Sequence, residues 1–567
     1  MTREKPLIVQ SDYTILLEVD SPLFEEVRDH LLTFAELVKS PEHIHTYRIS
    51  PISLWNAASG GIDDVFILAT LERYGRYEIP QNIRSFIIQQ IGRYGRLKLV
   101  RADEGLLLTS EDPLLIEEIA NLRKAKPHII CQVDERNLLV KEMSRGLIKQ
   151  ILIHLGHPVE DTAGYIDGAP LSFSLRETAL SGEPFLLRDY QQSAMRAFYA
   201  EGATTGGSGV VVLPCGAGKT ILGMGIMEKV ASWTLIVVTS ITAARQWIDE
   251  LLDKTTLTED EVAEYSGERK AIKPVTIATY QILTWRKDKT SGFPHFTLFD
   301  KEEWGLVLYD EVHLLPAPIF RITAQIQAKR RLGLTATLIR EDGREGDVFS
   351  LIGPKKYDIA WRRLEKAGWI AIASCYEVRV PMPKSERLSY VTSEVRTKFR
   401  IASENPEKLP LIKTIIGRHP HAQILVIGLY LSQLRKVAKM LGVPLIQGSM
   451  PTTEREKIYD AFRRGIQRII VVSKVANFAV DLPDANVAIQ ISGTFGSRQE
   501  EAQRLGRILR PKKGENMAYF YTLVSEETSE EEFSKKRQLF LTEQGYQYFV
   551  ITPDRVLDGG LGSPRVD

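Results

Sequence analysis

The chain has 567 residues, 44% of them apolar and 26% charged, which is too long for one core and sets a prior of three to five domains. With 73 Lys and Arg against 72 Asp and Glu, the net charge of +1 gives no whole-chain sign of a polyanionic partner, so nucleic-acid binding must be argued locally. No run of 18 apolar residues, no signal-peptide stretch in "MTREKPLIVQSDY", and three widely separated cysteines (Cys131, Cys215, Cys375) speak against a membrane protein, a secreted disulfide framework and a zinc site, and for a reducing cytoplasm.

In chain order, "SPLFEEVRDHLLTFAELVKSP" puts Phe24, Val27, Leu31, Ala35 and Val38 on one stripe, which predicts a single amphipathic helix stopped by Ser40-Pro41. Two further helix-like segments, "DDVFILATLERYG" and "PQNIRSFIIQQIGRYG", precede two short strands joined at Asp103-Glu104-Gly105. Helix, helix, hairpin is a winged-helix order, so residues 1–125 read as a winged-helix-like domain that serves either DNA or a protein partner. Residues 126–176 read as a small α+β domain, with strands in "HIICQV" and "NLLV" before the helix "KEMSRGLIKQILIHLG". From there apolar strands alternate with amphipathic helices: "GVVVL", "TLIVVTS", "VTIATY", "WGLVLYD" and "RRLGLTA", then "QILVIG", "VPLIQG", "RIIVVS", "VAIQIS" and "MAYFYTL". This rhythm predicts an α/β fold with two parallel-sheet domains in tandem, at 187–365 and 406–567, with an insert at 381–405 between them.

The stretch "VVVLPCGAGKT" lies between a buried-strand run and a helix-forming run, the setting of a phosphate-binding loop, although Leu213 stands where the usual pattern has its first glycine. Gly216, Ala217 and Gly218 would close backbone N–H groups around phosphate, Lys219 would reach the β and γ phosphates, and Thr220 would offer its hydroxyl to Mg²⁺. About 90 residues later, Asp310-Glu311 ends the apolar strand of "WGLVLYDEVHLLP". There Asp310 is expected to hold the magnesium and Glu311 to polarise the attacking water. In "EAQRLGRILRPKKG", Gln503, Arg507 and Arg510 share one helical face, and arginines brought to a transferring phosphoryl group are worth about 10³–10⁵ in rate. ATP and Mg²⁺ are the implied cofactors.

These motifs together resemble the superfamily 2 helicases and, within them, the XPB DNA-repair helicases, whose form of motif I is "LPCGAGKT" and whose motif II is "DEVH". The resemblance implies two RecA-like domains and an ATP-dependent DNA helicase or translocase of 3′-to-5′ direction. It also implies that Arg188 and Gln191 of "LRDYQQSAM" contact adenine, that "SITAARQW" and "TIATY" (with Thr279) face nucleic acid, and that Asp481 links nucleotide to nucleic acid. "LTATLIRED" combines a motif III, Thr335-Ala336-Thr337, with Arg340-Glu341-Asp342, a triplet similar to the family's RED element. Residues 146–175 resemble its damage-recognition domain, and "PKSERLSYVTSEVRTKFRIASENP" falls where it inserts a thumb. Here Lys384, Arg387, Arg396, Lys398 and Arg400 would track a phosphate backbone while the interleaved Tyr390 and Phe399 touch bases, unless the segment is a solvated linker. The expected partner is DNA, as single strand and duplex junction, together with a repair nuclease or a transcription or repair protein. Rival readings are an RNA helicase of the same superfamily and a nucleotide-gated scaffold that unwinds little by itself.

Overall fold

The computed structural model describes residues 5–39, 43–182, 184–203, 205–214, 216–288, 293–326, 329–336, 345–359, 361–473, 485–493, 508, 516–535 and 548–558. The chain forms two compact units, Met1–Leu213 with Gly218–Asp358, and Pro214–Ala217 with Ile359–Asp567.

The first unit opens with four strands, β1 (Leu7–Val9), β2 (Thr14–Glu18), β3 (Glu36–Lys39) and β4 (Ile44–Arg48), in an antiparallel sheet of order β1-β2-β4-β3. The single helix expected over residues 21–41 is therefore corrected. Its helix covers only Phe24–Leu31, and the chain then turns into β3, where Leu37 pairs with Tyr47 and is buried beside Ala35. Period-two burial against the next strand, β4, overrides the local helical stripe there. Three helices follow, Pro51–Ser59, Asp64–Tyr74 and Gln81–Ile91, with Ser50 and Asp63 capping the first two through side-chain oxygens.

The hairpin β5 (Leu97–Ala102) and β6 (Gly105–Thr109) forms as expected, but it also pairs onward. Together with β7 (Ile129–Gln132), β8 (Asn137–Val140) and β9 (Val159–Asp161) it makes one five-stranded sheet of order β7-β8-β6-β5-β9. A boundary at residue 125 thus falls inside a continuous sheet, whose core joins Leu97, Leu99, Leu106 and Leu108 to Leu138, Val140, Ile148 and Leu152. Helix Arg145–His154 leads into a buried charge cluster: Asp161 accepts from Arg145 Nη2 at 2.7 Å and from Lys149 Nζ at 2.6 Å. The guanidinium carbons of Arg145, Arg330 and Arg331 lie 5.5–5.8 Å from the centroid of the Tyr165 ring.

The first parallel sheet contains β10 (Ser208–Val212), β11 (Thr234–Val238), β12 (Val262–Tyr265), β13 (Val275–Thr279), β14 (Leu306–Asp310), β15 (Arg330–Thr335) and β16 (Lys355–Asp358), ordered β12-β13-β11-β14-β15-β10-β16. Its strands are near-continuous Val, Ile and Leu runs because helices cover both faces, as in "TLIVV", buried at all five positions. The second sheet contains β17 (Ile372–Val380), β18 (Ile424–Gly428), β19 (Leu445–Ile446), β20 (Ile469–Ser473), β21 (Val487–Gln490), β22 (Met517–Ser525) and β23 (Tyr548–Ile551), ordered β19-β20-β18-β21-β22-β17-β23 and likewise parallel. Strand β17 lies outside both expected α/β segments, yet it pairs with β22 over all nine positions. The insert of helices Lys384–Thr392 and Val395–Ser403 therefore interrupts the second parallel-sheet domain from within. Two RecA-like domains follow from these sheets.

Candidate functional site

The carboxyl ends of β10, β15 and β14 lie side by side, with Val212 in register with Thr335 and Asp310 with Leu334. In an open parallel sheet that edge is the ligand crevice. From β10 the chain passes into the glycine loop, where Gly216 (φ +80°) and Gly218 (φ +75°) occupy the left-handed region that their lack of a Cβ permits. A Cβ on Gly218 would approach Gln191 Nε2 to 2.5 Å, so a side chain there would displace the Gln191 amide that bonds to Gly218 O. Helix Lys219–Val230 starts next, with Thr220 in its first turn. The N–H groups of its first turn and its positive dipole end favour an anion.

Lys219 Nζ donates to Glu311 Oε1 at 2.7 Å, with the two side chains 12% and 18% exposed. Glu311 has φ 50° and ψ 54°, a left-handed conformation that costs a non-glycine residue about 1–2 kcal/mol. The turn it makes at the end of β14 separates the directions of two consecutive carboxylates. Asp310 Oδ2 accepts from the Trp247 indole N–H at 3.0 Å, while Glu311 is committed to Lys219 and has His313 Nδ1 3.5 Å from its Oε2. Burial, then the Glu311 charge, pushes the Asp310 carboxyl above the usual carboxylate range. Burial would raise Glu311 too, but Lys219 and His313 outweigh it and hold this carboxyl below its ordinary value. Two adjacent acids thus differ in environment, one tuned to stay ionised and one held less firmly so.

Other expected residues fall into place around this pair. Thr335, fully buried, shares a hydrogen bond of 2.6 Å with His313 Nδ1, which ties the end of β15 to the turn after Glu311. Gln191 is 2% exposed; its Oε1 accepts from Arg188 N–H at 2.9 Å, and its Nε2 donates to Gly218 O at 3.3 Å. Arg188 also donates to Tyr190 Oη at 3.0 Å. The segment before β10 is therefore bonded directly to the glycine loop.

Two expectations for nucleic-acid contact are corrected by burial. Thr279 is 1% exposed, and its hydroxyl caps helix Tyr280–Leu283, so its side chain is spent on the fold. Phe399 is 1% exposed and packs edge-on against Phe533, so it cannot stack on a base. In the insert Lys384, Arg387, Arg396 and Arg400 are exposed, Arg387 pairs with Glu527, and the partly exposed Lys398 Nζ sits 5.8 Å from the Tyr390 ring centroid. Cys215, Thr337, Arg340, Glu341, Asp342, Asp481, Gln503, Arg507 and Arg510 lie outside the described residues. Trp247, His313 and Tyr280, whose hydroxyl donates to the Asp310 main-chain oxygen at 2.7 Å, are not singled out by the sequence, although they end the quoted "SITAARQW", "DEVH" and "TIATY". Among the described residues there is no cluster of three metal-ligating side chains, and no helix is long and apolar enough to cross a membrane.

Comparison with known proteins places the chain among helicases. The model of the ERCC3/RAD25/XPB C-terminal helicase family matches residues 364–559, that of the type III restriction enzyme res subunit matches 184–340, and that of the helicase conserved C-terminal domain matches 7–134. The chain is 53% identical over 554 residues to the DNA 3′-5′ helicase XPB of Mycobacterium tuberculosis, covering 97% of this chain and 98% of that protein. It is 51% identical over 557 residues to the protein of the same name from Kineococcus radiotolerans, covering 98% of each. It is also 32% identical over 563 residues to the general transcription and DNA repair factor IIH helicase/translocase subunit XPB of Encephalitozoon cuniculi, covering 96% of this chain and 83% of that one.

Proposed function

The chain belongs to the XPB helicase family, and from that premise we propose how its own residues perform ATP-driven DNA 3′-5′ unwinding in repair or transcription. The observation that carries the reading is the Lys219–Glu311 contact of 2.7 Å at the carboxyl edge of the first sheet. It joins the residue type that binds a terminal phosphate to the one that prepares water for attack, beside a glycine loop and a helix N-terminus.

Lys219 holds Glu311 in the resting protein. A γ-phosphate competes for the same ammonium, and as Lys219 turns to it the Glu311 carboxylate becomes free to accept a proton from the attacking water. His313 stays close to Glu311 and, through Thr335, makes that position sensitive to β15. The donor set fits Mg²⁺ in a phosphate site: Thr220 in the first helical turn and the carboxylate Asp310 would hold it, and it would neutralise charge on the phosphates. Arg188 and Gln191 take the adenine side, and Asp481, Gln503, Arg507 and Arg510 serve the phosphates and the coupling to DNA from the second domain. Thr337 and Arg340-Glu341-Asp342 work at the strand junction, and Lys398 with its neighbouring basic residues tracks the phosphate backbone.

In the N-terminal 125 residues Arg76, Arg84, Lys98 and Arg101 are paired with Glu18, Glu72, Glu160 and Glu142. Those pairings favour a role in holding a repair or transcription protein over a second DNA grip. Measuring ATP hydrolysis with matched DNA and RNA strands tests the substrate: stimulation by DNA is expected, and equal or greater stimulation by RNA would overturn it.

A further inference from the structure

A cavity of about 190 Å³ lies where the five-stranded sheet meets the first parallel-sheet domain. Its lining comes from three places: Ser59 at the end of helix Pro51–Ser59, Lys149 with Glu160 and Asp161 of β9, and Ser208 with Lys356 of β10 and β16. Ser208 opens β10 and Val212 closes it at the nucleotide crevice, about 13 Å away at roughly 3.3 Å per residue. The cavity and the glycine loop therefore sit at opposite ends of one strand.

The charge around this cavity does not balance. Arg145, Lys149 and Arg331 are 1%, 4% and 1% exposed, and the Asp161 carboxylate answers the first two with both of its oxygens. Arg331 donates to the main-chain oxygens of Leu351, at 2.8 Å, and of Lys329, which carry no charge. Glu160 pairs with Lys98 Nζ at 3.5 Å and also acts on Lys356. Of the three N–H donors of Lys356, one goes to the Thr205 main-chain oxygen at 2.9 Å, and the other two have no partner among the described residues. Lys98, Arg145, Lys149, Arg331 and Lys356 thus stand against two carboxylates, and buried cations in excess are costly. Burial, opposed by Asp161 and reinforced by Arg331 and Arg145, brings the Lys149 ammonium down to about 7, and burial lowers Lys356 as well.

We propose that this cavity binds a free tetrahedral oxyanion of the phosphate class between Lys149 and Lys356. Ammonium donors form strong charge-assisted bonds to phosphate oxygens, and at roughly 30 Å³ per water the space holds one such ion with a few waters. Lys149 belongs to the helix that leads into β9 and Lys356 to the edge strand β16, so the ion bridges the five-stranded sheet to the first parallel-sheet domain. It supplies the negative charge that the buried cations lack.

Equilibrium dialysis of radiolabelled inorganic phosphate against the full chain tests this, with Lys219→Ala as the starting protein so that the nucleotide site does not contribute. One phosphate per chain is expected. Adding Lys356→Met keeps the aliphatic stem and removes one charge-assisted bond, and adding Lys149→Met does the same from the other side; each should weaken phosphate binding at least about tenfold. Lys356 is partly exposed, so Lys356→Met carries the test should Lys149→Met fail to fold. Phosphate is expected to stay bound in the presence of excess duplex DNA, and its displacement by DNA would assign the site to nucleic acid and overturn the free-ion proposal. A Lys219→Ala protein that binds no phosphate overturns the proposal too, as does phosphate binding that Lys356→Met and any folded Lys149→Met leave unchanged.

Discussion

Glu311→Gln and Lys219→Ala are expected to abolish turnover alike while moving ATP affinity in opposite directions. Glu311 accepts from Lys219 at 2.7 Å and both side chains are more than four-fifths buried, so this is a charge-assisted bond worth about 1.5–3 kcal/mol. ATP must break it to recruit the ammonium. Glutamine keeps the shape and part of the hydrogen bond without the charge, so ATP affinity should stay equal or rise, by up to about tenfold. Turnover should fall by about 10²–10⁴ because the water loses its proton acceptor. Lys219→Ala instead leaves Glu311 facing the incoming phosphates with its cation gone, and ATP affinity should drop by at least about a hundredfold. Equilibrium binding of a fluorescent ATP analogue, paired with single-turnover hydrolysis on the same preparations, separates the two effects. Glu311→Gln binding ATP tenfold more weakly than wild type would refute the competition for Lys219.

Further predictions address the rest of the molecule. Asp161→Asn removes the carboxylate shared by Arg145 and Lys149 and leaves those cations and the nearby Arg331 buried together; a loss of about 3–5 kcal/mol is expected in urea denaturation, and a loss below about 1 kcal/mol would contradict the charge balance. Burial, reinforced by Arg28, pushes His45 down to about 4 from an ordinary 6.5, so the folded state binds fewer protons than the unfolded. The stability this confers is complete above pH 6.5 and is lost as pH falls toward 4, by up to about 3 kcal/mol. Hydrogen exchange over β2 and β4 should show that acid loss in wild type and a flatter profile in His45→Leu. Lys398→Ala should weaken binding to all DNA sequences similarly and lower the salt slope by about one phosphate contact, whereas an unchanged slope would place Lys398 away from the DNA backbone.

Much of the α/β half was legible because buried parallel strands are written as short continuous apolar runs, and "GVVVL" before "GAGKT" fixes where the phosphate loop must sit. Strands β3 and β17 follow another logic. β3 sits in a stretch with helical periodicity and is a strand only because Leu37 pairs with Tyr47 of β4, and β17 carries Glu377 and Arg379 among its apolar residues. The hairpin at 97–109 was readable by itself, but its pairing with β8 and β9 is non-local and moved the apparent boundary at 125. At the site, residue types announced Lys219, Asp310 and Glu311, while the left-handed turn at Glu311 and the donors Trp247 and Tyr280 depend on tertiary geometry. The reverse holds for Phe399, whose aromatic character among basic residues suggests base stacking that its burial rules out.

Strand displacement on a partial duplex carrying either a 3′ or a 5′ single-stranded tail, with ATP and Mg²⁺, tests the central claim most directly. Unwinding of the 3′-tailed substrate alone, abolished in Lys219→Ala and absent without ATP, is the predicted result. Hydrolysis of ATP with no displacement of either substrate, or displacement that survives in Lys219→Ala, would contradict it.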